Sequence, residues 1–229
     1  EVWRIIGVFP TDDGTGKIEN RIKLILNESV GNHYWNNCTD EDEDYICDDT
    51  NKVVNDWTGA TGKELVNTTY LNSFLDDTSQ SMIGNAKYYL GGYTSASVTK
   101  EQVYQYERKI SGSDYYRGNN PNSWTDKIGL MYASDYGYAV SDKCIYTLYG
   151  YGEKICKNNN WLYNSSIDQW TLFHNAGRTD LMWSVDSYGR FDSVSSSGQN
   201  GVRPVLYLKS NVKITGGSGT STDPYTLGI

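Results

Sequence analysis

The chain has 229 residues and a formal net charge of −8, from 20 Lys and Arg against 28 Asp and Glu. That balance, with no Lys/Arg cluster, repels a phosphate backbone and argues against a nucleic-acid partner. No stretch approaches the roughly 20 apolar residues of a membrane span, while 38% hydrophobic content suffices for a full core.

The order of elements predicts an α+β domain. "VWRIIGVF" (Val2 to Phe9) and "NRIKLIL" (Asn20 to Leu26) are β-rich runs flanking "PTDDGTGKIE", whose Asp-Gly and Gly residues suit a hairpin connection. A first helix is expected over "GKELVNTTYLNSFLDD", where Leu65, Tyr70, Leu71, Phe74 and Leu75 recur at near-helical spacing. "SMIGNAKYYLGG" reads as a helical turn ending at Gly91. "VTKEQVYQYERKI" reads as a further helix, with Thr99 as N-cap and Gln102 three residues on. From Lys127 onward the runs "KIGLMY", "NWLY", "QWTLF", "LMWSVD", "GRFDSV" and "GVRPVLYLK" read as strands, the last turning at Ser210-Asn211 into "VKIT". An N-terminal hairpin, central helices and antiparallel C-terminal strands follow each other without alternating βαβ units. Neither repeat nor linker divides residues 1–229, so one domain is the simplest reading. Glu1 begins within a strand, as expected of a segment cut from a longer exported protein.

Cysteine usage points to export. Cys38/Cys47 and Cys144/Cys156 form two local pairs, each enclosing a polar loop. Each loop, if bridged, would be firmed by roughly 2.5 to 3 kcal/mol, and bridges persist in oxidising compartments; four reduced thiols are the alternative. Between the first pair, "TDEDEDYICDDTN" crowds carboxylates that repel unless solvated or neutralised by a cation. Calcium is the candidate: Asp40, Asp42 and Asp44 match the first three ligand positions of an EF-hand loop, but Tyr45 and Asn51 stand where Gly and Glu belong. A solvated acidic loop is the competing reading. "GTGK" at Gly14 to Lys17 and "GATGK" at Gly59 to Lys63 lack the spacing of a phosphate loop and read as turns. With two histidines and no G-x-S-x-G elbow, a catalytic triad finds no support.

The segment from Phe173 to Asn200 carries the best case for a site. In "LMWSVD", alternation puts Leu181, Trp183 and Val185 on one side and Met182, Ser184 and Asp186 on the other. A turn near Ser187-Tyr188-Gly189 would return Phe191 and Val194 to the core and leave Arg190 and Asp192 outward. With His174, Asn175, Arg178, Asp180 and Tyr188 these form a mixed aromatic, charged and hydroxyl-bearing set, the composition of an adaptable recognition surface. Tyr146, Tyr149 and Tyr151, inside the Cys144 to Cys156 loop, form a second candidate patch.

Three stretches together, Trp3 to Asn32, "KIGLMYASDYGYA" at Lys127 to Ala139 and "GVRPVLYLKSNVKITGGSGTSTDPYTL" at Gly201 to Leu227, carry a resemblance. They resemble a family of domains in secreted and cell-surface proteins of gut-dwelling Gram-positive bacteria, and the layout is similar to the C-type-lectin-like fold. The resemblance implies first and last strands that pair. It also extends to retroelement-diversified variable proteins, which present a variable face just before the closing strand. Formylglycine-generating enzymes share that scaffold and use a reactive cysteine pair, but Cys144 and Cys156 lie in no motif of that family. The expectation is an extracellular or cell-surface, non-catalytic module that binds a protein or glycan ligand. A structural cell-surface or pilus subunit and an enzyme on the same scaffold are the alternatives.

Overall fold

The computed structural model of the chain describes residues 1–36, 55–116 and 120–229. The calcium candidates Asp40, Asp42 and Asp44 and the pair Cys38 and Cys47 lie outside these residues. The described residues combine helices with mostly antiparallel strands, an α+β arrangement, and none of their helices is long and apolar enough to cross a membrane.

The N-terminal hairpin forms as expected: β1 (Trp3–Asp12) and β2 (Ile18–Leu26) pair antiparallel from Trp3↔Leu26 to Asp12↔Ile18. One carboxylate oxygen of Asp12 accepts the N–H groups of Gly14 and Gly16, and both glycines sit at positive φ, where a side chain would be strained. After β3 (Asn32–Tyr34), residues 61–74 are one helical run. It consists of α1 (Thr61–Glu64), a π-helical stretch over Leu65–Tyr70, and α2 (Leu71–Phe74). "GATGK" therefore opens a helix instead of forming a free turn.

The helical turn expected up to Gly91 is replaced by α3 (Asp77–Met82), β4 (Ile83–Gly84) and β5 (Ala86–Tyr89). Ala86 and Tyr88 are fully buried while Lys87 and Tyr89 are half-buried, a period of two that belongs to a strand. α4 (Lys100–Glu107) starts at Thr99 with the reciprocal capping box to Gln102. β6 (Ser123–Asp126) pairs with β5, and β7 (Ile128–Gly129) is all that "KIGLMY" contributes as strand. The following "ASDYGY" is α5 (Ala133–Tyr138), and "NWLY" lies in a turn just before the later strands. α6 (Lys154–Lys157) precedes β8 (Gln169–His174), β9 (Leu181–Val185), β10 (Phe191–Ser195) and β11 (Gln199–Gly201). The chain ends through β12 (Val205–Leu208), β13 (Lys213–Gly216) and β14 (Thr226–Gly228).

Two five-stranded sheets organise these elements. In the first, β12 lies between β2 on one side and β4 and β7 on the other, with β1 at the edge; in the second the order is β10-β9-β8-β11-β3. The closing strand therefore pairs with the second strand of the hairpin, Val205↔Ile25 to Tyr207↔Lys23, and not with the first as the resemblance implied. Alternation explains how the first sheet is covered twice. Leu24 and Leu206 face an apolar cluster containing Trp35, Trp57 and Trp170, whereas Ile25 and Val205 face another containing Tyr136, Phe173, Trp183 and Phe191. β8 is buried at all six positions, the signature of a strand enclosed on both faces.

Candidate recognition surface

β9 and β10 form the expected late hairpin, paired from Leu181↔Ser195 to Val185↔Phe191. Asp186 builds its turn. One of its carboxylate oxygens accepts the backbone N–H of Tyr188 at 3.0 Å and of Arg190 at 2.8 Å, and the other accepts the Arg190 guanidinium Nε at 2.7 Å. Gly189 takes φ +84, and a Cβ there would come within 3.0 Å of Lys157. The Tyr136 hydroxyl donates to the Gly189 carbonyl at 3.1 Å, fixing the turn to the core. Phe191 is buried and stacks on Trp183 at 5.8 Å, while Val194 packs against the first apolar cluster, so both anchors act as expected. Tyr188, Arg190 and Asp192 stand exposed.

The outward set is smaller than the alternation suggested. Met182 and Ser184 are buried, because β9 is an inner strand of the second sheet: Met182 joins the first apolar cluster while Trp183 and Val185 join the other. His174 is also buried, with Gly92 against its ring, and burial holds its pKa down at about 4. Asn175 is a turn former: its amide nitrogen donates to Ser193 Oγ at 3.1 Å and its side-chain oxygen accepts from Gly177 N–H at 2.8 Å. Asp186 serves the turn as described. Arg178 is exposed and forks onto Asp180 at 2.8 and 2.6 Å, at the opposite end of the hairpin from Tyr188.

The second candidate patch meets the first. Cys144 and Cys156 are joined by a disulfide with their Cα atoms 4.9 Å apart, and they pin a loop whose 3₁₀ turn spans Leu148–Gly152. Tyr151 is a core residue, its hydroxyl donating to Gly137 O at 3.0 Å, whereas Tyr146 and Tyr149 are exposed. Gly152 lies directly on the hairpin turn: a Cβ there would fall 2.5 Å from Arg190 Cγ and 3.3 Å from Tyr188 O. The hydrogen bond and charge of Asp186 raise the Arg190 pKa above its ordinary value, with smaller contributions from Asp192 and Tyr149. Tyr149, Tyr188, Arg190 and Asp192 thus share one neighbourhood, with Tyr146 on the same disulfide-pinned loop.

Sequence reasoning missed a second region. A cleft of about 420 Å³ is walled by Ile6, Phe9, Tyr104, Tyr138 and Trp161, with Arg108, Ser134 and Asp135 also lining it. Arg108 stacks on Tyr104 at 3.6 Å and pairs with Glu107 at 3.1 Å. Glu107 is buried and accepts the N–H and the hydroxyl of Ser134 at 2.8 and 2.6 Å; burial pushes its pKa up to about 7. Lys23 lies 2.5 Å from Asp135, both buried. The one sequence signal for this cluster was a lysine inside the apolar run "RIKLIL", and nothing local named its partner 112 positions away.

No protein-family model, curated protein or solved structure matches the chain.

Proposed function

We propose that this protein is an exported, non-catalytic recognition module that binds a protein or glycan ligand through the joint face of Tyr146, Tyr149, Tyr188, Arg190 and Asp192, on a scaffold of the C-type-lectin-like kind. The observation that carries the reading is the convergence of two separate exposed segments, the late hairpin turn and the disulfide-pinned tyrosine loop, at the contact of Gly152 with Arg190. Tyrosine offers a large, amphipathic contact area at low entropic cost, and arginine and acid supply orientation. The backbone beneath is fixed before any ligand arrives, by Asp186 and by the Tyr136 hydroxyl, which reduces the ordering cost of binding. The pairing of Cys144 with Cys156 favours a structural role for that pair over thiol chemistry.

The test compares binding of the labelled parent chain and of Tyr188→Ala/Arg190→Ala to cultured epithelial cells, and to the same cells stripped of surface glycans or of surface protein. A loss of about tenfold or more in the variant supports the site, and the two stripped samples assign the ligand to one class. Equal binding by parent and variant, or none by the parent, removes the site assignment and favours the structural cell-surface or pilus subunit.

A further inference from the structure

Lys23 and Asp135 meet in the core. Lys23 leaves β2 on the side of Tyr207, its cross-strand neighbour on β12, and its Nζ reaches Asp135 Oδ2 in α5 at 2.5 Å, with the two side chains 1% and 5% exposed. Asp135 is held in place from its own helix, because the same oxygen accepts the Tyr132 N–H at 2.7 Å. Around the nitrogen stand the rings of Tyr132, Tyr207 and Phe9, at 4.4, 5.5 and 5.6 Å. Among the described residues Asp135 is the only hydrogen-bond acceptor of Nζ, and the three rings are its other neighbours.

Taking an ammonium and a carboxylate out of water costs several kcal/mol per ion, and a proton passed from one to the other relieves both charges. Burial accordingly lowers the pKa of Lys23, which increases its share of free amine. An amine in contact with a carboxyl group, buried and fixed in orientation, is the arrangement from which an amide forms by loss of water.

We propose that Lys23 and Asp135 condense into an intramolecular isopeptide bond that joins β2 to α5. The ammonium proton passes to Oδ2, and the Nζ lone pair adds to Cγ. A second nitrogen proton is transferred to the departing hydroxyl, the Cγ–O bond breaks, and one water leaves. Nothing is oxidised or reduced, and no co-reactant is consumed. Glu107 is a positioning residue: it accepts the N–H and the hydroxyl of Ser134 and so holds the helix turn that carries Asp135 against Lys23. The product would close a loop across a separation of 112 residues with a bond that neither denaturant nor reductant opens.

Intact-mass measurement of the purified full chain, reduced and denatured, tests this directly. The expected mass is one water below that of the sequence, with a branched tryptic peptide linking the segment around Lys23 to the segment around Asp135. The branched peptide separates this bond from dehydration at the Asp13-Gly14 step. The full sequence mass with no branched peptide leaves an ion pair only and overturns the proposal, even if Lys23→Ala and Asp135→Ala fail to fold. Glu107→Gln is expected to slow the appearance of the lighter species several-fold in newly synthesised protein, followed by mass from the time of cell-free translation, with an unchanged circular dichroism spectrum. An unchanged rate removes Glu107 from the step.

Discussion

Arg190 with Asp186 and Lys23 with Asp135 are two acid–base pairs of nearly equal length, 2.7 and 2.5 Å, in opposite surroundings: their side chains are 52% and 12% exposed in the first pair, 1% and 5% in the second. Water sets what each can do. The exposed pair is screened and adds little to folding, so its cation can be shared with an incoming ligand. In the buried pair Lys23 has no other hydrogen-bond acceptor among the described residues, and Asp135 has beside it only the Tyr132 N–H, so each charge depends on the other being present. The same chemistry is open to solvent at the hairpin turn and closed off beneath the aromatic cleft.

The largest effect should come from breaking the buried pair. Lys23→Met, which removes the proposed link to α5 and leaves the Asp135 charge uncompensated, is expected to cost at least about 3–5 kcal/mol in urea unfolding, and Lys23→Met/Asp135→Asn should recover only the part due to that charge. A single variant as stable as the parent would refute the account of this pair.

The next test concerns pH. The pKa of Glu107 is raised to about 7, so its contribution is complete below the ordinary carboxyl value and is lost as pH rises through 7. The pKa of His174 is lowered to about 4, so its contribution is complete above the ordinary imidazole value and is lost as pH falls towards 4. The two slopes oppose each other over much the same window and nearly cancel in the parent. Glu107→Gln should therefore become more stable from pH 4.5 to 6.5, and His174→Gln less stable, each by about 2–3 kcal/mol. The slope of the urea midpoint with pH is the readout, and slopes of the same sign in both variants would contradict the assignment.

Removing the clamp on the recognition face should cost a similar or smaller amount: Cys144→Ser/Cys156→Ser is expected to lose up to about 3 kcal/mol in the chain-entropy model and to weaken cell binding by loosening Tyr146 and Tyr149. The smallest effect belongs to Tyr188→Ala/Arg190→Ala, whose urea midpoint should match that of the parent. A clear drop would show that the exposed pair is structural after all and would erase the contrast with Lys23 and Asp135.

What the sequence disclosed was local. The first hairpin, the helix capped by Thr99 and Gln102, the Cys144–Cys156 bridge and the late hairpin each announce themselves within a dozen or so residues, through turn glycines, a capping pair or alternation. What it concealed depended on neighbours. Met182 and Ser184 read as outward because alternation assumes one wet face, and only the packing of the second sheet shows that both faces of β9 are covered. "NAKYYL" carries no turn signal that would separate a strand from a helix, and the pairing of β5 with β6 decides it. Tyr151 differs from Tyr149 only in which side of a 3₁₀ turn it occupies. The cluster of Lys23, Glu107 and Asp135 is assembled from β2, α4 and α5, so no window of sequence contains it.

The position of β12 also governs when the chain can finish folding. Among the last strands in sequence, it is an inner strand of the first sheet, hydrogen-bonded to β2, which precedes it by almost the whole chain. Until Val205 to Leu208 are in place, β2 lacks its inner neighbour and β4 and β7 have none, so the first sheet cannot close from its N-terminal parts alone. Contacts so distant in sequence form slowly, and open edges in the interim invite mispairing. Closure of the first sheet therefore waits for Val205–Leu208.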